Sequence, residues 1–500
     1  MQRTSISRFL RKAIVALVVL SVVSCLLPGN VLAGQARYVF LFIGDGMGIP
    51  QQAAAEAYTN GKLIASTFPV QGITTTHAND RFITGSAAAA TAMAAGQKTN
   101  IGFIGMDPGQ RPVQSIAEMA RDLGMKVGIV SSVSIDHATP AAFYAHVPSR
   151  GMYHEIDVAL ARSGFDFFGG GGLKDPMGLK SKQPLGDARI IATMNGYALV
   201  DNKEDFKKLK PGQKAIAWNG WLQDSQALSY HMDAHAEDIT LPEFTAKAIE
   251  LLDNPDGFFL MVEGGKIDWA SHANDATAAI EDTLAFDRAV EHAVRFAKHH
   301  PEETLIVISG DHECGGMTLG FAGTKYETSF DILSNQKVSF TKFDQEVLAP
   351  FKKNHADNAR FEDMLPLIES HFGLKIAGDD TDPMVLKGFE IAQIREAFDR
   401  SVGGESVRAG DDTTYRLYGG YEPLTVTLTH ILNQKAGVAW TSYSHTGVPV
   451  STAASGAGAE LFSGYYDNTD VARKLMQAMG IEPRVYYSGQ TVKNTRLALQ

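Results

Sequence analysis

The sequence predicts an α/β protein whose central sheet is covered by helices on both faces. Three observations predict it. Short continuous apolar runs recur along the chain, as strands buried on both faces require. Segments of helical periodicity lie between them, the alternation that builds parallel sheets. Apolar residues make up 44 % of the 500 positions and charged residues 20 %, which suits a core-bearing globular chain and excludes a disordered or collagen-like one. A chain of this length holds two or more compact units, or one large unit with an insertion.

In chain order, the first 33 residues read as an export signal. Arg3, Arg8, Arg11 and Lys12 form a basic start, Ala13 to Val23 is almost wholly apolar, and Pro28-Gly29 precedes Val31-Leu32-Ala33, a small-residue cleavage site. The apolar run is shorter than the ~20 residues a membrane anchor needs. The same stretch has a second reading, because Val22-Val23-Ser24-Cys25 resembles a lipoprotein box that would leave a lipid on Cys25. The expected destination is periplasmic or secreted.

The buried-strand runs are Arg37–Ile43, Lys126–Ser131, Phe258–Glu263, Thr304–Ser309 and Val438–Tyr443. Gly169–Gly172 lacks the Gly-Lys-Ser/Thr of a phosphate-binding loop and reads as a tight turn. Thr240-Leu241-Pro242-Glu243 forms a capping box before a helix reaching about Leu252. Asn274 to His299 carries Ile280, Leu284, Val290 and Val294 at helical spacing, which predicts one long amphipathic helix ending at His299-His300. The stretch 317–437 is too long for a bare loop. Helical patterns near Phe361–Phe372 and Ile391–Ser401, with a strand-like Leu424–Leu428, mark it as an insertion with its own small packed unit.

The chain carries 45 basic and 56 acidic residues, a net charge of −11, which becomes −15 once residues 1–33 and their four cations are removed. No basic excess exists to displace phosphate counterions, so a nucleic-acid-coating role is excluded. An anionic substrate must instead be held by local cations. Of the two cysteines, Cys25 leaves with the signal. Cys314 then has no partner for an intrachain disulfide and reads as a small buried hydrophobe.

Six separated segments carry groups suited to chemistry. Asp45 follows the first strand in Gly44-Asp45-Gly46. Glu263, Asp268 and His272 follow another, and Asp311-His312 a third. Ligands of open α/β sheets bind beyond the carboxyl ends of the strands, so three acidic clusters at three strand ends converge on one rim. Singly, each has a plainer reading. Asp-Gly is a common turn, and Asp268 and His272, four apart on a helical face, suit an ion pair as well as a metal. Together, several carboxylates in one pocket resist ionisation unless cations neutralise them. Ser86 in Thr84-Gly85-Ser86-Ala87-Ala88-Ala89 stands before an alanine-rich run, hence at a helix N-terminus that favours a phosphate or sulfate. An ordinary N-cap is the alternative, and no Gly-x-Ser-x-Gly elbow surrounds it. The run Asp136-His137-Ala138-Thr139-Pro140 to Arg150 adds a hydroxyl, a histidine and a guanidinium able to grip two oxygens of a tetrahedral anion. His445 follows the last strand.

From about Arg37 to Gly480 the sequence resembles the alkaline phosphatase family, whose motifs occur in the order of the segments around Asp45, Ser86, Thr139–Arg150, Glu263–His272, Asp311-His312 and His445. The resemblance implies a three-layer α/β/α sandwich with a large mixed, mostly parallel sheet. Residues 34–316 and 438–500 would form the catalytic domain and 317–437 the inserted lid or crown. It implies two zinc ions and one magnesium per chain. Asp268, His272 and His445 would hold the first zinc; Asp45, Asp311, His312 and Ser86 the second; Asp45, Thr139 and Glu263 the magnesium. Ser86 would be the nucleophile and Arg150 the phosphate clamp. The reaction would be hydrolysis of phosphate monoesters through a phosphoserine, with a broad substrate range and an alkaline optimum, in a homodimer.

The chain departs from the family's best-known pattern at three places. His137 and Trp269 stand where that pattern has Asp and Lys, and Gly85 replaces an Asp beside the nucleophile. The third metal site should therefore be less selective for magnesium, with His137 inviting zinc, and Trp269 on the substrate side should loosen product binding. A sulfatase reading fails because Ser86 is followed by Ala-Ala-Ala rather than x-Pro-x-Arg. A non-catalytic metal- or phosphate-binding protein would explain the ligands but not the helix-end serine.

Overall fold

The computed structural model describes residues 35–355, 358–379, 381–403 and 412–492. The expected signal at 1–33 and the lipidation reading at Cys25 lie outside the described residues. A central sheet of ten strands runs in the order β14-β2-β13-β8-β1-β7-β3-β4-β6-β5. The strands are β1 (Tyr38–Gly44), β2 (Val70–Thr75), β3 (Lys126–Ser134), β4 (Phe167–Gly171), β5 (Tyr197–Val200), β6 (Lys214–Trp218), β7 (Phe258–Gly264) and β8 (Thr304–Gly310). Short β9 (Glu313–Cys314), β10 (Thr318–Leu319), β11 (Val438–Ala439) and β12 (His445–Thr446) precede β13 (Val450–Gly456) and β14 (Gly464–Asp467). Only β13 runs against the rest of the sheet.

The alternation along β1 explains the layering. Val39, Leu41 and Ile43 face one side and pack with Ala87, Ala90, Met93 and Leu475. Phe40 and Phe42 face the other, against Phe244, Leu251, Phe286 and Val290. Each such fully buried large side chain contributes about 1.5–3 kcal/mol. The second layer includes the helices α2 (Leu241–Leu252), which begins at the expected capping box, and α4 (Ala276–Ala297), the expected long helix. The first layer includes α1 (Ser86–Ala95), whose small residues are buried all round.

Three local expectations are corrected. Leu424–Leu428 is not strand but part of a helix, α7 (Pro423–Ala436), which has Pro at its first turn and ends at Gly437 in a left-handed conformation. Val438–Tyr443 gives only β11, paired with β10 outside the main sheet, whose corresponding strand is β13. Gly169–Gly172 is not a turn: Gly169 to Gly171 lie in β4. At Gly170, φ +143°, a Cβ would lie 1.9 Å from the Ser131 carbonyl oxygen of β3, so the neighbouring strand dictates glycine.

Within 317–437, α5 (Phe361–Phe372), α6 (Gly388–Val402) and α7 share a cluster built from Phe361, Met364, Ile394, Phe398, Leu424 and Leu428. The cluster continues into Ala54, Ala55, Ala276 and Ile280, so it seats on the main layer. No helix among the described residues is long and apolar enough to cross a membrane.

Candidate active site

The three central strands end in register. Ile43 of β1 lies beside Glu263 of β7 and Ser309 of β8, so Asp45, Glu263 and Asp311 stand within a residue or two of the same level. The chain turns at Gly46, φ +69°, where a Cβ would come 2.8 Å from the Asp268 Cα; only glycine lets the two segments meet. The Gly46 N–H donates to Asp311 Oδ1 at 3.1 Å, fixing that carboxylate. Asp268 and His272 lie on one face of the short α3 (Lys266–His272), which follows β7 directly.

These residues gather into three adjoining nests whose donor atoms lie within 4.8 Å of one another: Asp268, His272, Cys314 and His445; Asp45, Asp311 and His312; and Asp45, His137 and Glu263. Asp45 belongs to two of them. Thr139 Oγ1 reaches Asp45 Oδ2 at 3.4 Å, and Ser131 donates to Glu263 Oε2.

The donor set fits cations. His272 Nδ1 pairs with the Tyr443 carbonyl at 2.7 Å and His445 Nδ1 with the Thr84 carbonyl at 2.9 Å. With each Nδ1 proton committed to a carbonyl, the two Nε2 atoms lie 3.1 Å apart beside Asp268, the positions left for a proton or a cation. Buried oxygens Asp45 Oδ1, Glu263 Oε1, Asp268 Oδ1 and Asp311 Oδ2 have no hydrogen-bond partner among the described residues. A nest of lone pairs this dry is stable only with protons or metal ions in it.

The titration behaviour follows. Burial, then Asp311, Asp268 and Glu263, raise Asp45 well above the carboxylate range, and burial with Asp268 does the same to Asp311. Burial lifts Glu263 to about 7. Asp268 goes the other way: burial would raise it, but His272, His445 and His312 hold it well below. Burial opposes the charge on His272, yet Asp268 raises it to about 9. His312 is pushed well down by burial and then by His445, leaving a neutral imidazole.

Ser86 begins α1 behind Gly85 and makes no capping hydrogen bond, so the N-cap reading is set aside. Its Oγ lies 3.3 Å from His312 Nε2. It lines a cavity of about 450 Å³ with Arg150, His137, Asp268, Trp269, His272 and His445. Arg150 Nη2 donates to His137 Nε2 at 2.9 Å, and no carboxylate lies within salt-bridge distance of it among the described residues. The His137 ring stands edge-on to Trp269, centroids 5.7 Å apart.

Thus Asp45, Ser86, His137, Arg150, Glu263, Asp268, Trp269, His272, Asp311, His312 and His445, with Thr139 against Asp45, lie together at one rim, while Asp136 turns away to the Lys174 N–H. Others were missed. Cys314 is buried, as expected, but its thiol joins the first nest, where β9 pairs it with His445. Burial and Asp268 hold that thiol protonated. The signal was its place two residues after His312. Asp224, Ser225, Phe340 and Tyr421 also line the cavity and carry no motif.

A family model described as alkaline phosphatase matches residues 36–166 and 182–481. Alkaline phosphatase 4 of Bacillus subtilis is 31 % identical over 461 residues, covering 89 % of each chain. Among solved structures, a cold-active alkaline phosphatase from a psychrophilic Shewanella superposes with a TM-score of 0.72 at 26 % identity, covering 88 % of this chain and 99 % of that one. The Thermus thermophilus alkaline phosphatase shares the fold with the same score at 22 % identity, over 94 % and 98 % of the two chains.

Proposed function

The chain belongs to the alkaline phosphatase family, and from that premise we propose that it hydrolyses phosphate monoesters through a covalent phosphoserine at Ser86. The observation that carries this reading is the serine itself: a hydroxyl at a helix N-terminus, in a cavity shared with an arginine free of carboxylate partners, beside nests of orphaned ligand atoms. Asp268, His272 and His445 suit one zinc, Asp45, Asp311, His312 and Ser86 a second, and Asp45, Thr139 and Glu263 a magnesium. Bound there, such cations supply the Lewis acidity that lowers the pKa of an alcohol and offsets charge on departing oxygen.

The protein's own groups do the rest. Arg150 presents its planar fork to two non-bridging phosphate oxygens. The N–H groups opening α1 point the same positive end of a dipole at the anion. Ser86 Oγ attacks phosphorus, its P–O bond forming as the ester P–O bond breaks and the alcohol leaves with a proton. Water then attacks the phosphoserine, returning the serine hydroxyl and inorganic phosphate. The reading extends to a broad substrate range, an alkaline optimum, export and a homodimer.

Release of phosphate from p-nitrophenyl phosphate by the metal-loaded protein tests it; a protein that binds metal and phosphate but turns nothing over would leave only the binding-protein alternative. Arg150→Ala should raise KM about 10-fold or more, with a smaller change in kcat, because a bidentate charged contact is lost; an unchanged KM would count against the clamp.

His137 governs the third nest. Its Nε2 accepts from Arg150 while its Nδ1 is buried without a partner among the described residues. An imidazole nitrogen suits zinc better than magnesium. His137→Asp should therefore raise magnesium selectivity in equilibrium dialysis. Equal magnesium preference in both proteins would contradict this.

A further inference from the structure

The cavity that Ser86 and Arg150 line is also lined by Asp224, Ser225, Phe340 and Tyr421, to which the phosphate chemistry assigns no role, and by Trp269. Asp224 is held there with unusual care. It opens a two-residue turn whose central Ser225 and Gln226 have φ of +45° and +65°, a left-handed conformation that side chains disfavour. The turn is closed by the Ala227 N–H donating to the Asp224 carbonyl at 2.7 Å, and pinned to the residue after β4 by the Gly172 N–H donating to the Gln226 carbonyl at 2.8 Å. Beneath it lies Lys266, whose side chain is wholly buried. Its ammonium donates to Asp224 Oδ1 at 2.6 Å and sits 3.7 Å from the ring centre of Tyr230 and 4.9 Å from that of Trp269.

A buried ion pair needs neither strained backbone nor a cavity beside it. Here Lys266 takes only one carboxylate oxygen. No protein donor reaches Asp224 Oδ2 among the described residues, and the Asp224 side chain keeps 23 % of its surface exposed. The other walls are aromatic, with Phe340 and Tyr421 packed edge to face at 5.7 Å. A carboxylate acceptor among aromatic rings suits a cation or a donor and repels an anion.

We propose that Asp224, set by Lys266, is a specificity determinant that favours phosphate monoesters whose leaving alcohol carries an ammonium group. This rests on the phosphomonoesterase reading above and deepens it. The test compares kcat/KM at pH 8, where the amine is protonated, for ω-aminoalkyl, ω-hydroxyalkyl and ω-carboxyalkyl phosphates of two to five carbons, using the metal-loaded enzyme. The expected order at the best-fitting length is amino above hydroxyl above carboxyl. The amino-to-hydroxyl ratio should fall about tenfold in Asp224→Asn; comparing ratios between proteins cancels the intrinsic reactivity of the esters. Because Asp224→Asn strands a buried ammonium, the double variant Asp224→Asn/Lys266→Met, which removes both charges, is measured beside it and should show the same fall. Wild-type turnover without the order, or a ratio unchanged in the variants, overturns the inference. No turnover of any ester by the wild type overturns the phosphomonoesterase reading instead.

Discussion

Ser86→Ala should lower kcat for p-nitrophenyl phosphate by about 10⁴-fold or more, the scale on which removing a covalent nucleophile acts, while folding persists and Asp45, Asp311 and His312 remain to hold the second metal ion. The structure makes this substitution unusually clean. Ser86 sits at the first helical position rather than the cap, makes no capping hydrogen bond and is 1 % exposed. Alanine is the best helix former and is already the next residue in the chain. Removing one oxygen from a cavity wall leaves α1, Gly85 and the alanine packing of the first layer unchanged. The loss should therefore appear in chemistry and not in melting temperature. Trapping with labelled substrate should yield a phosphorylated serine in the wild type and none in the variant. Near-normal turnover in Ser86→Ala, or label on another residue, would remove Ser86 from the reaction and leave the helix terminus as a binding feature only.

The legible parts of this fold and site share one property: their signal is local. Tyr38–Gly44, Phe258–Gly264 and Thr304–Gly310 are continuous apolar runs because both faces of a parallel sheet are covered, so each is visible without knowledge of its neighbours. Asp45 and Asp311 come directly after two of them and Glu263 is the penultimate residue of the third, which places all three acids at strand ends. β13 escaped because Val-Ser-Thr-Ala-Ala-Ser-Gly has no large side chain; it is a strand only because β2 and β8 flank it. α7 escaped because Leu-Thr-Val-Thr-Leu alternates like a strand, while the surrounding 317–437 cluster and Pro423 at the first turn make it a helix. The cavity wall of Asp224, Phe340 and Tyr421 is tertiary in origin: a turn after β6 meets residues more than a hundred positions later. No spacing rule connects them.

Metal removal should cost the protein most at high pH, and the sign follows from the site's own titration. In the metal-free protein, Glu263 rises from an ordinary 4.5 to about 7, and Asp45 and Asp311 are raised well above their ordinary 3.8, burial being the first cause in each. A carboxyl group raised in the folded state stabilises below its unfolded pKa, and that contribution is lost as pH climbs through the folded value. His272, raised to about 9 with Asp268 as its partner, adds stability below 6.5 that is likewise lost through 9. Asp268, held low, contributes above its ordinary value and loses that only in acid. Above the ordinary histidine value of 6.5 these terms weaken the metal-free fold as pH rises, whereas below it His312, His137 and His445, held low by burial, act in the opposite sense. Divalent ions reverse the balance, because protons no longer compete for the oxygens and binding to the folded state alone stabilises by about 2.7 kcal/mol per site at a hundred times Kd. Two or three sites then correspond to a melting gap of roughly 5–8 °C between loaded and chelated protein at pH 9, shrinking toward pH 5. Calorimetry of both forms across that range reads it directly, and activity should vanish on chelation and return with zinc and magnesium together. A gap that is absent at pH 9, or that widens as pH falls, would mean that this nest of carboxylates and imidazoles is stabilised by something other than cations.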